Sequence, residues 1–157
     1  MKAYACATLF ILPALPATAE NAIARFFPDE ASCYGRSYSP DHLKSHPQQR
    51  VTAMAVSPDF AIDDPMIGLW FATSLRGVPG GNFEAYAYCE NGGPDQLLCG
   101  MEGDAGSFSI SPAKNGAILV EVGRYGIGLE ADTGFVTLES HQGDDRSFIL
   151  QPLSNCP

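Results

Sequence analysis

Basic residues are scarce in this chain: 9 Lys and Arg stand against 18 Asp and Glu, a formal net charge of −9 at pH 7. No cluster of Lys and Arg exists, which argues against nucleic acid and against an anionic membrane surface as partners, since both need concentrated positive charge. Long apolar runs are missing too. The longest, residues 3–15, falls short of the roughly 20 residues a bilayer span needs, and Pro13 and Pro16 interrupt it or follow it closely. No membrane anchor is expected. Spacing of the C-x₂₋₄-C kind, typical of zinc sites, is absent, as are C-x-x-C, H-E-x-x-H and the D-x-[DN]-x-[DN]-G calcium loop. Each absence removes a ready route to metal or redox chemistry.

What is present begins with an export signal. Lys2, the apolar run and the small-x-small sequence Ala17-Thr18-Ala19 predict a signal peptide over residues 1–19, cleaved before Glu20. The remainder then has 8 basic residues, the 9 of the whole chain less Lys2, against 18 acidic ones. Acidity of this kind suits solubility outside the cytoplasm, with a basic partner as the sharper alternative. The expected location is periplasmic or secreted, with residues 20–49 forming an N-terminal segment and residues 50–157 a single β domain.

Of the 5 cysteines, Cys6 leaves with the signal, so Cys33, Cys89, Cys99 and Cys156 form an even set in an oxidising compartment. Three pairings are possible. Spacing favours Cys89 with Cys99, across the turn-rich stretch 90–95, and Cys33 with Cys156, end to end. By loop entropy the short link contributes roughly 3 kcal/mol and the long one roughly 5.

From Arg50 onward apolar and polar residues alternate in short runs at 51–56, 66–75, 83–89, 97–101, 107–111, 117–123, 127–131, 135–140 and 147–151. This is the period of half-buried strands. Connections are short, with Asn115-Gly116, Asp132-Thr133-Gly134 and residues 142–145 as hairpin signals. Sequential neighbours should therefore pair antiparallel, and closure would remove two open edges. The predicted fold is an all-β, antiparallel up-and-down barrel or clam of about eight to nine strands, with a β-sandwich as the alternative. Alternation puts Phe83, Ala85, Ala87 and Cys89 on one face of a strand and Glu84, Tyr86, Tyr88 and Glu90 on the other. Small residues such as Ala85, Ala87, Gly100 and Gly123 mark either sheet curvature or a space inside. Ahead of the strands, Ser39, Pro40 and Asp41 open a short helix that Pro47 ends.

Candidate chemistry is thin. His42 and His46, four apart, could share a metal ion, but no third ligand is spaced with them, and Pro47 disfavours helix at His46. Gly103-Asp104-Ala105-Gly106 has the glycine spacing of a serine-protease nucleophile loop, yet Ala105 stands where the serine is needed. Asp63-Asp64 and Asp144-Asp145 read as solvated turn acids, and Glu102 and Asp104 as sharing a strand face if that strand continues. No catalytic residue, cofactor or metal site follows. Trp70, Tyr86 and Tyr88 are the best candidates for a ligand or partner surface, together with the loop at 77–82, with both tyrosines pointing outward beside Glu84 and Glu90.

Two resemblances add to this reading. The sequence Cys33-Tyr34-Gly35-Arg36-Ser37-Tyr38, followed by His42-Leu43, His46-Pro47, Gln49 and Val51 and later by residues 102–108, resembles a pattern in exported proteins of Gram-negative bacteria; it implies export and no activity. Gly68-Leu69-Trp70 ahead of a disulfide-bearing meander is similar to the opening of small barrels, including lipocalin-like proteins and periplasmic inhibitors of bacterial metalloproteases. The expected function is a non-enzymatic binding module for a small molecule or protein. One alternative is a protease inhibitor, with the segment Glu20 to Asp29, which contains Phe26-Phe27-Pro28, entering a protease cleft. The other is a metal-binding or hydrolytic protein using His42 and His46.

Overall fold

A computed structural model describes residues 21–62, 65–78, 81–131 and 134–156. The expected signal peptide, Asp63-Asp64, the Asp132-Thr133 turn and part of the 77–82 loop lie outside the described residues. Two short helices, α1 (Ala22–Phe26) and α2 (Pro40–Ser45), accompany nine strands. These are β1 (Cys33–Ser37), β2 (Val51–Asp59), β3 (Ile67–Leu75), β4 (Asn82–Gly93), β5 (Gln96–Met101), β6 (Gly106–Pro112), β7 (Ile118–Ala131), β8 (Gly134–Leu138) and β9 (Ser147–Leu153).

Strands β1 to β7 pair antiparallel in chain order, and β9 then bridges β7 to β1. The ring is a closed eight-stranded barrel, as the alternation predicts, and not a sandwich. β8 stands outside the ring as a hairpin on the C-terminal half of β7. The connection at 142–145 is short, yet β9 pairs with β7 and β1 rather than with β8, so chain neighbours do not pair there. The runs 117–123 and 127–131 prove to be one strand, bent at Gly126, whose φ of +79° few other residues tolerate. Asn115 and Gly116 both adopt positive φ in the β6–β7 turn, the conformation that an Asn-Gly hairpin requires.

The stretch 20–49 is more than a prelude to the barrel. β1 lies inside it and pairs with both β2 and β9, so it supplies the seam that closes the ring. Without β1, β2 and β9 would each present an open edge. α1, which the helix signals did not reveal, is capped by the Asn21 side chain, which accepts from the Ile23 N–H at 2.9 Å. It carries Ala22, Phe26 and the following Phe27 into the core, where all three are buried. Tyr34 holds the plug by donating its hydroxyl to the Phe26 carbonyl at 2.9 Å and packing edge-on against Phe27. An Arg25–Asp95 ion pair ties α1 to the β4–β5 turn. Phe26-Phe27-Pro28 is therefore no free arm, because its two rings are part of the core.

The interior is packed solid. Phe27, Phe71, Phe83, Phe148, Met54, Ile67, Leu69, Leu97, Ile110, Ile118, Ile127 and Leu129 are all fully buried. Burying each such side chain stabilises the fold by about 1.5–3 kcal/mol before chain entropy is set against it. The small residues of the strands thus do not enclose a space inside: Gly123 allows close approach to Ser107, and Gly100 is exposed on the outer surface.

The cysteines form Cys33–Cys156 and Cys89–Cys99. Cys89 and Cys99 are directly opposed in the β4–β5 ladder, with Cα atoms 4.1 Å apart. Cys33 joins the start of β1 to the tail after β9, across the seam that β1 closes. Near the α2 end of β2, the turn acids are not simply solvated. Asp145 is buried, accepting from the Arg50 N–H at 2.7 Å and the Val51 N–H at 3.1 Å, with the Arg50 guanidinium 3.6 Å away. Asp144 accepts from the Gln48 N–H. Together they clamp the β8–β9 turn onto the entry to β2, which balances the cost of burying a carboxylate.

Candidate functional site

Because side chains alternate across a strand, the residues of β3 and β4 that skip the core line one outer wall of the barrel. Trp70 lies opposite Tyr86, and Gly68 opposite Tyr88. Trp70 and Tyr86 meet edge to face, with centroids 4.7 Å apart; Tyr86 and Tyr88 do the same at 5.2 Å. Trp70 remains 50% exposed and Tyr88 41%. The three rings form a continuous ridge that the fold does not cover.

Tyr86 fixes the ridge. Its ring lies across Gly68, where an added Cβ would collide with the phenol, and its hydroxyl donates to Asp59 Oδ2 at 2.9 Å. Asp59 faces Gly68 in the β2–β3 ladder, so the acid, the glycine and the ring are placed by register. Burial of the phenol, reinforced by the hydrogen bond to the Asp59 carboxylate and by that carboxylate's charge, pushes the Tyr86 pKa up to about 12. The ring is thus a neutral, fixed support against which Trp70 leans.

Hollows flank the ridge on both sides. Beside Trp70, a niche of about 290 Å³ is lined by Ala55, Ser57, Ala72 and Glu84 as well as the indole. It adjoins a longer hollow of about 560 Å³ that shares Glu84 and has Gly35, Ala53 and Ser74 in its lining. Beside Tyr88, a trough of about 770 Å³ crosses β4 to β7 over Gly100, Ser107 and Gly123, edged by Met66, Leu98, Glu90 and Glu121. The trough exists because Gly100 has no side chain, and nothing lies within 4 Å of where its Cβ would be. Strands β2 to β6 contain no Lys, Arg or His, so the only charges they bring are Asp59, Glu84 and Glu90. Met66 and Leu98, and Phe60 just after β2, are also exposed, so an apolar wall with an acidic border results.

The other sequence candidates fall elsewhere. The described residues of the 77–82 loop adjoin the Ser74–Asn82 end of β3 and β4, several residue pairs from Tyr88, so the aromatics form an outer wall rather than a barrel mouth. His42 and His46 do share a face, with rings stacked at 4.2 Å despite Pro47. Their nitrogens serve local structure: His42 Nε2 donates to Gln49 Oε1 at 3.0 Å and His46 Nδ1 to the His42 carbonyl at 2.9 Å. Among the described residues no group of three or more His, Cys, Asp or Glu side chains could hold a metal ion. Glu102 and Asp104 do not share a strand face, because β5 ends at Met101 and a 3₁₀ turn follows, with Gly103 and Asp104 at positive φ.

Sequence reasoning missed Asp59, Met66 and Leu98 as members of this wall. Leu98 was legible, since it alternates out of phase with Leu97, Cys99 and Met101; Asp59 depends on a cross-strand register that spacing does not reveal. Comparison with family models, with curated proteins and with solved structures returned no match to this chain.

Proposed function

We propose that this is an exported, non-enzymatic β-barrel that binds a basic protein partner through the outer wall of β3 to β5. One observation carries the reading: two exposed aromatic rings, Trp70 and Tyr88, lean on the half-buried Tyr86 between them, on a wall whose only charges are acidic. Rigid aromatics give large contact area at low entropic cost, and a one-signed border steers and orients an oppositely charged partner. The filled interior favours this over a small ligand held inside, which would have to displace Phe71, Phe83 or Phe148. Two disulfides suit an oxidising compartment, in keeping with the signal read over residues 1–19. If the partner is a protease, it meets this wall, since the segment first read as an inhibitory arm plugs the barrel.

Photo-crosslinking in the exporting cell tests the proposal. A benzophenone side chain at Tyr88 or Leu98 should capture a discrete partner that the same probe at the exposed Ile149, on β9 across the ring from β4, does not. Equal capture from both places, or none from Tyr88 and Leu98, would refute it.

A further inference from the structure

We infer that the niche beside Trp70 receives an arginine side chain of the partner. The inference rests on the reading of the outer wall as a docking surface and names what one part of it holds. Three features of the niche argue for it. The floor, Ala55, Ser57 and Ala72, lies low because these residues are small, and each is placed by register: Ala55 faces Ala72, and Ser57 faces Trp70. One wall is the indole, which Tyr86 buttresses while itself staying out of the niche lining. The other is Glu84, which faces Ala72 across the ladder and so stands diagonal to Trp70.

An aromatic surface and a carboxylate converging on a hollow of about 290 Å³ suit a flat cation better than a compact one. A guanidinium can stack on the indole while its edge donates to the carboxylate; an ammonium can take up one contact fully only by weakening the other. The volume suits one side chain and not a folded element. Among the described residues no cation lines the niche: β2, β3 and β4 have none, and Arg36, which borders the adjoining hollow, lies over the Tyr38 ring at 4.7 Å. The adjoining hollow continues the small-residue floor, giving the backbone that bears the arginine a shallow course to follow.

The chain has a single tryptophan, so the indole N–H resonance of Trp70 reports on the niche alone. The probe is a blocked Gly-Ser-Arg-Ser-Gly peptide, titrated against counterparts with citrulline or lysine at the centre. The arginine peptide should move the Trp70 resonance saturably, the lysine peptide more weakly, and the uncharged citrulline peptide not at all. Glu84→Gln should weaken the arginine peptide about threefold to fivefold, in line with one exposed ion pair. Glu90→Gln, on the far side of the ridge, should leave it unchanged. A citrulline response equal to that of arginine, or an unaltered affinity in Glu84→Gln, would overturn the niche. Crosslinking from Tyr88 would still stand in that event, so failure of the niche is distinguishable from failure of the docking wall.

Discussion

Trp70 and Phe71 are adjacent in the chain and belong to opposite sides of the barrel. Phe71 is wholly buried, 5.1 Å from the Phe108 ring, among side chains that leave no room inside. Trp70 is half exposed and touches mainly another aromatic of the same wall. The same alternation runs along β4, where Phe83, Ala87 and Cys89 are buried while Glu84, Tyr88 and Glu90 are exposed. The two faces use aromatic residues for different ends. Inward rings remove apolar area from water and hold the fold; outward rings leave that area in water, where it stabilises nothing until something covers it.

The sharpest break of this contrast uses the adjacent pair. Phe71→Ala should destabilise the protein by about 3–5 kcal/mol, since it removes a buried ring and leaves a cavity. Trp70→Ala should change stability by less than about 0.5 kcal/mol, as surface substitutions do, while abolishing capture by a probe at Leu98. Urea unfolding of both variants measures the first two effects. Comparable losses would mean that Trp70 is part of the fold, and the wall would lose its claim to be a docking surface.

A smaller effect of opposite sign sharpens the picture of the interior. Thr73 shares the inward face with Phe71, and its Oγ1 is the one buried side-chain polar atom without a hydrogen-bond partner among the described residues. Thr73→Val keeps the shape and removes the orphan hydroxyl, so it should stabilise the barrel by about 1 kcal/mol. Calorimetry showing a lower melting temperature would indicate that the hydroxyl has a partner, and that the interior is less uniformly apolar than its packing implies.

The alternation of residues made the inward and outward sets of β4 legible, because a period of two is written directly in the order of side chains, whereas in β2 a bulge between Val51 and Ala53 breaks the phase. Alternation made Tyr86 and Tyr88 legible as outward for the same reason. β1 was not legible: Cys-Tyr-Gly-Arg-Ser has no apolar alternation, and its place in the barrel comes from pairing with β2 and β9, far away in sequence. α1 was hidden by its brevity, as five residues are too few to show a helical period, and its burial is decided by the core that Ala22 and Phe26 join. Asp145 reads as a turn former in the sequence because its partners, the backbone N–H groups of Arg50 and Val51, lie about ninety-five residues earlier. Niche and trough were beyond the sequence in the same way, since each is a gap between strands whose register had to be known.

The smallest effect falls on Tyr86, whose ring belongs to the outer wall although its hydroxyl is spent within the protein. With a pKa pushed up to about 12, the folded protein keeps this phenolic proton where the unfolded chain, near the ordinary value of about 10, has lost it. Between those two values the unfolded state binds fewer protons than the folded one, so stability falls as pH rises through the window, and below it the group has no effect. Burial raises the Tyr34 and Tyr38 phenols as well, so the wild-type decline is shared among them. Tyr86→Phe should reduce the decline without removing it, and ultraviolet titration should lose its latest phenolate step. Asp59→Asn should bring that step to lower pH by removing the carboxylate, while burial keeps it above the ordinary value. An alkaline decline identical in Tyr86→Phe and wild type would show that the Asp59 bond does not hold the ring. Trp70 would then lack its fixed support, and the wall would be an adaptable surface instead of a preorganised one.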